Sequence, residues 1–148
     1  MEINNQLVEQ LTRIYIDYET WHKEKLDEES SNDYHRELLR KGNIITVVQG
    51  DKLLGYCEFW RINYEQFGRI ICGERFSAMG EDVWTGNIAY VANTFIQPEA
   101  RQKEVYKMLR DRFFEVNKDC EYFVGEARRK KSCPVKVFKR KQVLERIL

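Results

Sequence analysis

The sequence is poor in the residues that build metal and redox sites. Its two histidines, His22 and His35, fall in one polar N-terminal stretch, and its four cysteines (Cys57, Cys72, Cys120, Cys133) form no Cys-x-x-Cys pair. That scatter excludes a zinc knuckle or a thioredoxin-type motif, and no metal site is expected. Two prolines and eight glycines leave no linker, collagenous stretch or low-complexity tract. No apolar window approaches the roughly 18–20 residues that span a bilayer. The first residues, Met1 to Asn5, lack the basic start and apolar run of a secretory signal. Net charge is small too: 25 Lys+Arg against 24 Asp+Glu leave +1 at pH 7, which excludes a wholesale basic coat for nucleic acid. What the chain has is apolar material, 43% hydrophobic and 13% aromatic, enough for a real core and too much for intrinsic disorder. Its 148 residues suit one domain. The expectation is a single cytoplasmic domain over residues 1–148 with no membrane partner.

The charge is neutral in total but not in distribution. Residues 1–35 carry nine acids and three bases, whereas residues 127–141 carry eight bases and no acid. The basic segment is a candidate contact for nucleic acid phosphate, or for the acidic face of another copy of the chain in a homodimer; a solvated basic helix is the plainer reading. Cys133 lies beside Lys130, Lys131 and Lys136, where positive charge lowers a thiol's pKa.

Hydrophobic spacing predicts the elements. Leu7, Leu11, Ile14, Tyr18 and Trp21 form a helical stripe capped at Asn4 or Asn5. A second helix is expected from Ser30, with Asp33 in a capping-box-like arrangement, burying Tyr34, Leu38 and Leu39 and stopping at Gly42. The β-branched run Ile44–Val48 and the run Leu53–Trp60 flank Gly50-Asp51 as a hairpin. Residues 63–86 read as an insertion containing a short helix at Tyr64, Phe67, Ile70 and Ile71. A strand over Asn87–Ile96 ends at Pro98, which cannot donate to a ladder. A long helix is expected from Glu99, with Val105, Met108, Leu109, Phe113 and Val116 inward, then a strand at Glu121–Gly125 and a helix near Pro134–Lys141. The mixture predicts an α/β (α+β) fold, helices flanking one central sheet that is mixed but mostly antiparallel.

The informative unit is the strand, Pro98, a tight turn and the long helix. A helix that starts just beyond a strand end presents unpaired N–H groups and a positive dipole end, which suits a pyrophosphate. Arg101 and Lys103 add cationic donors there, and are equally readable as ordinary helix-start charges. The segment Ile96-Gln97-Pro98-Glu99-Ala100-Arg101-Gln102-Lys103-Glu104-Val105-Tyr106 resembles the coenzyme-A-binding motif of the GNAT N-acetyltransferase superfamily. Ile96, Pro98 and Arg101 match its valine, proline and arginine, and Val105 the aliphatic residue between its two small ones. Glu104 and Tyr106 stand where the motif carries glycine and glycine or alanine, so the loop is degenerate. Glutamate there adds a like charge beside a phosphate, and tyrosine can block it. The element order, the Leu53–Gly55 segment and Val137–Arg140, which is similar to a Phe-Tyr stretch in that superfamily's last helix, extend the resemblance over residues 5–140. Phe138 stands where many members carry a tyrosine that protonates the thiolate.

The resemblance implies acetyl-CoA, or another acyl-CoA, as cofactor, held by Thr94, Phe95, Ile96, Arg101, Gln102, Lys103, Glu104, Val105 and Tyr106. It implies N-acyl transfer to a small-molecule or protein amine. An amine must lose a proton as it attacks a thioester, and main-chain amides near Asn93–Phe95 would polarise the carbonyl. Glu58 is the candidate base, Tyr90 a candidate acid alongside Tyr122, and Asn93 a candidate hydrogen-bonding partner of the substrate. Each also has a plainer reading: Glu58 as a solvated strand carboxylate, the tyrosines as core, Asn93 as a partner for neighbouring backbone. The opposing function is a GNAT-like fold that has lost its cofactor and serves as a binding or assembly module; a third, base modification of nucleic acid, rests on analogy.

Overall fold

The computed structural model describes residues 3–18, 27–72, 86–101, 104–126 and 135–139. Helix α1 (Asn5–Tyr18) begins where Asn4 accepts hydrogen bonds from the N–H groups of Gln6 (3.0 Å) and Leu7 (3.3 Å), satisfying two orphan donors. It buries Val8, Leu11 and Ile14; Trp21 lies outside the described residues. Helix α2 (Glu28–Lys41) starts earlier than Ser30, because Asp27 is its cap and accepts from both the N–H (3.0 Å) and the hydroxyl (2.7 Å) of Ser30. Asp33, expected in the cap, instead pairs with Arg36 at 2.9 Å. The face that packs inward carries Ser31, His35 and Leu38 rather than Tyr34, which is 37% exposed. Gly42 closes the helix at φ 75°, a conformation in which a Cβ is strained.

Strands β1 (Ile44–Gln49) and β2 (Lys52–Ile62) form the expected antiparallel hairpin around Gly50-Asp51, with Ile44 opposite Glu58 and Thr46 opposite Tyr56. From Leu53 to Phe59 every residue of β2 is buried, so both faces of the strand are covered. Helix α3 (Tyr64–Ile71) opens on a capping box in which Asn63 and Gln66 bond each other's main-chain N–H groups. Strand β3 (Ile88–Ile96) precedes a 3₁₀ turn at Pro98–Ala100 and helix α4 (Val105–Val116). Helix α4 therefore begins six residues beyond Glu99, and its inward stripe is Val105, Leu109 and Phe113; Met108 and Val116 are exposed.

Strand β4 (Tyr122–Glu126) runs parallel to β3, with Ile88 opposite Tyr122 and Val91 opposite Gly125. Strand β5 (Val135–Lys139) runs antiparallel to β4, with Phe123 opposite Phe138. The helix expected near Pro134–Lys141 is thus a strand over Val135–Lys139, where the ladder offered by β4 meets the strand-forming Val135, Val137 and Phe138. The five strands lie in the order β1-β2-β3-β4-β5, a mixed sheet within an α/β fold.

Two compact units divide the chain. One comprises Met1–Glu58 and Phe95–Arg112, the other Phe59–Thr94 and Phe113–Leu148. The first is centred on Val8, Leu11, Leu38, Leu53, Val105 and Leu109. In the second, Ile62, Ile70, Ile88, Tyr90 and Val124 pack together. Phe113, Phe114 and Phe123 meet there edge to face, with centroids 5.0–5.8 Å apart. Among the described residues no helix is long and apolar enough to cross a membrane.

Candidate functional site

The first unit contains the strand end, the turn and the start of α4. Pro98 has no N–H, and the preceding Gln97 N–H donates to the Leu54 carbonyl at 2.8 Å, tying the end of β3 to β2. The turn closes through the Ala100 N–H to the Gln97 carbonyl (2.9 Å), and Arg101 Nε donates to the Ile96 carbonyl at 3.4 Å. The first turn of α4 is closed by the Met108 N–H donating to the Glu104 carbonyl at 3.0 Å. The amides of Val105, Tyr106 and Lys107 therefore have no acceptor within the helix, and they stand at its positive end.

The side chains around those amides diverge in direction. Val105 is buried, whereas Glu104 is exposed and Tyr106 is 61% exposed. Val105 is held by a close approach to β2. A Cβ on Gly55 would lie 3.0 Å from the Phe95 carbonyl oxygen, 3.0 Å from Val105 Cγ1 and 3.3 Å from Leu109 Cδ1. Glycine at position 55 is what lets the strand end and the helix start meet the hairpin. Lys52 Nζ lies 2.5 Å from Glu99 Oε1, which offsets the acidic charge of the turn. Gln102 and Lys103 lie outside the described residues.

A second polar group in the same unit was only half visible in the sequence. Glu58 is 3% exposed, so it is not a solvated strand carboxylate. The Tyr34 hydroxyl, from α2, donates to its Oε1. Burial first, and then the Glu58 charge, push the Tyr34 phenol well above the ordinary tyrosine range, so it stays protonated as a donor. Beside it, His35 Nδ1 donates to the Ser31 carbonyl (2.7 Å), and the Thr12 hydroxyl oxygen lies 3.0 Å from the same nitrogen. Burial pulls the His35 imidazole down to about 4, so the ring is neutral at pH 7. Tyr15 and Tyr34 both pack against it edge-on, with centroids at 5.5 and 5.4 Å. No local signal marks Tyr34, because its partner lies 24 residues away on a different element.

The remaining predicted residues are dispersed. Phe95 stacks on Tyr56 at 6.2 Å, and Ile96 is half-buried. Thr94 is exposed and Asn93 half-buried on β3, whose register with β4 ends at Val91 opposite Gly125 while the strand continues to Ile96. Tyr90 is 2% exposed inside the apolar cluster, and Tyr122 stacks on Phe67 at 5.8 Å. Phe138 sits on β5, so the likeness of Val137–Arg140 to a last helix does not hold. Cys133 and the bases at 128–131 and 140–141 lie outside the described residues. Among the described residues no three His, Cys, Asp or Glu side chains gather as metal ligands.

No protein-family model matches the chain, and no curated protein matches it in sequence. Solved structures do match in fold. A ribosomal-protein-alanine N-acetyltransferase from Brucella melitensis superposes with a TM-score of 0.54 at 12% identity, covering 84% of this chain and 71% of that one. YncA from Salmonella typhimurium, solved with its cofactor acetyl-CoA, gives 0.54 at 11% identity over 84% of this chain and 66% of its own. The GphF GNAT-like decarboxylase, in complex with isobutyryl-CoA, gives 0.57 at 11% identity over 84% and 63%. The chain thus spans about two thirds of the length of these structures. It has the GNAT fold, at 11–12% sequence identity to these structures.

Proposed function

We propose that this chain, built on the GNAT fold, is an acyl-CoA-dependent N-acyltransferase that acylates a primary amine. The observation that carries this reading is the open start of α4. Among the described residues the amides of Val105, Tyr106 and Lys107 have no acceptor in the helix, and the two bulky replacements in the loop, Glu104 and Tyr106, are exposed. The donor set fits a pyrophosphate: main-chain N–H groups at a positive helix end, with the Arg101 guanidinium four residues before Val105. The residues that would hold acetyl-CoA are Thr94, Phe95, Ile96, Arg101, Gln102, Lys103, Glu104, Val105 and Tyr106. When bound, it supplies an activated thioester.

The chain's own contribution is to position the amine and take its proton. Glu58 is the proton acceptor, a carboxylate withdrawn from bulk water and held by a phenol donor. Asn93 would orient the acceptor. Tyr90 is given no proton to move, since its ring belongs to the apolar cluster.

Calorimetric titration with acetyl-CoA and with CoA tests the reading. The wild-type chain is expected to bind both. Arg101→Ala should weaken binding about tenfold, the loss of one charge-assisted contact. Glu104→Gly should strengthen it by removing the like charge. No heat at millimolar ligand with folded protein overturns the assignment.

A further inference from the structure

Glu58 occupies an unusual place for a carboxylate. It lies on β2 where the strand is covered on both faces, opposite Ile44 of β1, and is 3% exposed. A carboxylate buried there needs a donor, and the Tyr34 hydroxyl supplies one from α2. With Ser31, His35 and Leu38 on the inward face of α2, Tyr34 stands at the margin of the core, the residue 37% exposed and its hydroxyl on the buried carboxylate.

Among the described residues, titratable groups around the pair come from three elements. Tyr15 of α1 lies 6.2 Å from Tyr34 between ring centroids, His35 of α2 lies 5.4 Å from it, and Tyr56 of β2 acts on its charge; β1 contributes the apolar Ile44. None of these neighbours is a cation at neutral pH, His35 being uncharged above about 4. Stabilisation of a carboxylate charge from α2 therefore comes through the phenol.

We propose that Tyr34 is a positioning residue, which fixes the Glu58 carboxylate as the proton acceptor for the incoming amine. The inference rests on the acyl-transfer reading. The acceptor ammonium gives one proton to Glu58 and becomes a nucleophilic amine. As its nitrogen bonds to the acyl carbon, the carbon–sulfur bond breaks and the second nitrogen proton leaves with the thiolate as the thiol. Glu58 then returns its proton to solvent. A phenol hydrogen bond favours the ionised carboxylate, so Tyr34 keeps Glu58 ready to accept a proton.

The test uses the full chain labelled with carboxyl-¹³C glutamate and ring-¹³C tyrosine, the Glu58 and Tyr34 signals being assigned from Glu58→Gln and Tyr34→Phe. In Tyr34→Phe the Glu58 titration midpoint should move to higher pH, while acetyl-CoA affinity stays within about twofold of wild type. In Glu58→Gln, which keeps an acceptor for the phenol, the Tyr34 signal should titrate at lower pH than in wild type. This second measurement stands even if Tyr34→Phe does not fold. Unmoved midpoints, with acetyl-CoA still bound by the wild type, overturn the role of Tyr34 and leave the transferase reading intact. A wild type that binds no acetyl-CoA overturns that reading and this role with it, even where the midpoints move.

Discussion

The two compact units bury polar side chains for different purposes. In the second, Gln66 and Asn117 are buried and both serve main chain at helix ends: Gln66 completes the α3 capping box, and Asn117 Nδ2 donates to the Phe113 carbonyl at 2.9 Å beyond the end of α4. Around them the unit is apolar and aromatic. In the first unit, Thr12, Ser31, His35, Asn43 and Glu58 are buried, and several meet across elements: Thr12 of α1 with His35 of α2, Tyr34 of α2 with Glu58 of β2. Satisfying backbone at a helix end is local and keeps the same logic in any fold. A buried carboxylate and a buried imidazole are costly to desolvate, and here each relies on hydrogen bonds across elements. On the proposed reading, the difference puts the proton-accepting carboxylate in the first unit, while Gln66 and Asn117 of the second hold main chain.

The largest test of that division is Phe123→Ala. Phe123 is 5% exposed and contacts Phe113 and Phe114, so its truncation leaves a cavity expected to cost about 3–5 kcal/mol. Urea denaturation should show that loss, with no dependence on pH between 7.5 and 5 relative to wild type. A pH-dependent loss would mean that titrating groups are coupled to the scaffold, and the contrast between the units would fail.

The next effect belongs to the first unit and depends on pH. His35 is held down to about 4 in the folded chain, against an ordinary 6.5, by burial opposed in part by its bond to Ser31. A base with a depressed folded pKa binds its proton more readily when unfolded. Its contribution is therefore complete above about pH 6.5, falls as the pH drops, and is gone below about 4. The loss amounts to about 3 kcal/mol. Comparing wild type with His35→Phe by urea denaturation at pH 7.5 and 4.5 isolates it: the wild type should lose most of this increment and the variant should not. An equal acid response in both would place the pH sensitivity elsewhere.

Much of the scaffold was legible because its signals are local. The hairpin at Gly50-Asp51, the existence of α3 and the stop at Pro98 each follow from spacing or from a backbone property of one residue, although Tyr64 and Ile71 of the expected α3 stripe are exposed. Where two capping signals of equal span overlap at Ser30, the wrong one suggests the helix start. Ser30 and Asp33 resemble a cap, yet Asp27 bonds the Ser30 N–H and hydroxyl together and starts the helix three residues sooner. In the basic tail Val135 and Val137 flank Lys136, and the expected helix is replaced by a strand because β4 offers it a ladder. Of the candidate site, the turn around Pro98 and Arg101 could be located from sequence, and Gly55 could be suspected. That Val105 turns inward follows from the helical spacing it shares with Leu109 and Phe113, whereas its close approach to Gly55 is set by tertiary packing. Tyr34 illustrates the limit, since a phenol becomes a partner for Glu58 only after α2 and β2 are placed.

The smallest expected effect sharpens the same contrast from the scaffold side. Asn63 accepts the Gln66 N–H at 2.8 Å, and Gln66 returns a bond to the Asn63 N–H at 2.9 Å. Neither side chain titrates, and the orphan donors they satisfy belong to the first turn of α3. Asn63→Ala should therefore lower stability by about 1 kcal/mol, the usual cost of losing a cap. The loss should be the same at pH 7.5 as at pH 4.5, and acetyl-CoA affinity should not change. Measured beside His35→Phe, it separates two kinds of buried polarity by one variable. A capping amide leaves the acid response of the chain as it was, whereas the imidazole accounts for much of it. If Asn63→Ala altered acetyl-CoA binding, α3 would have to be counted with the functional unit rather than with the scaffold.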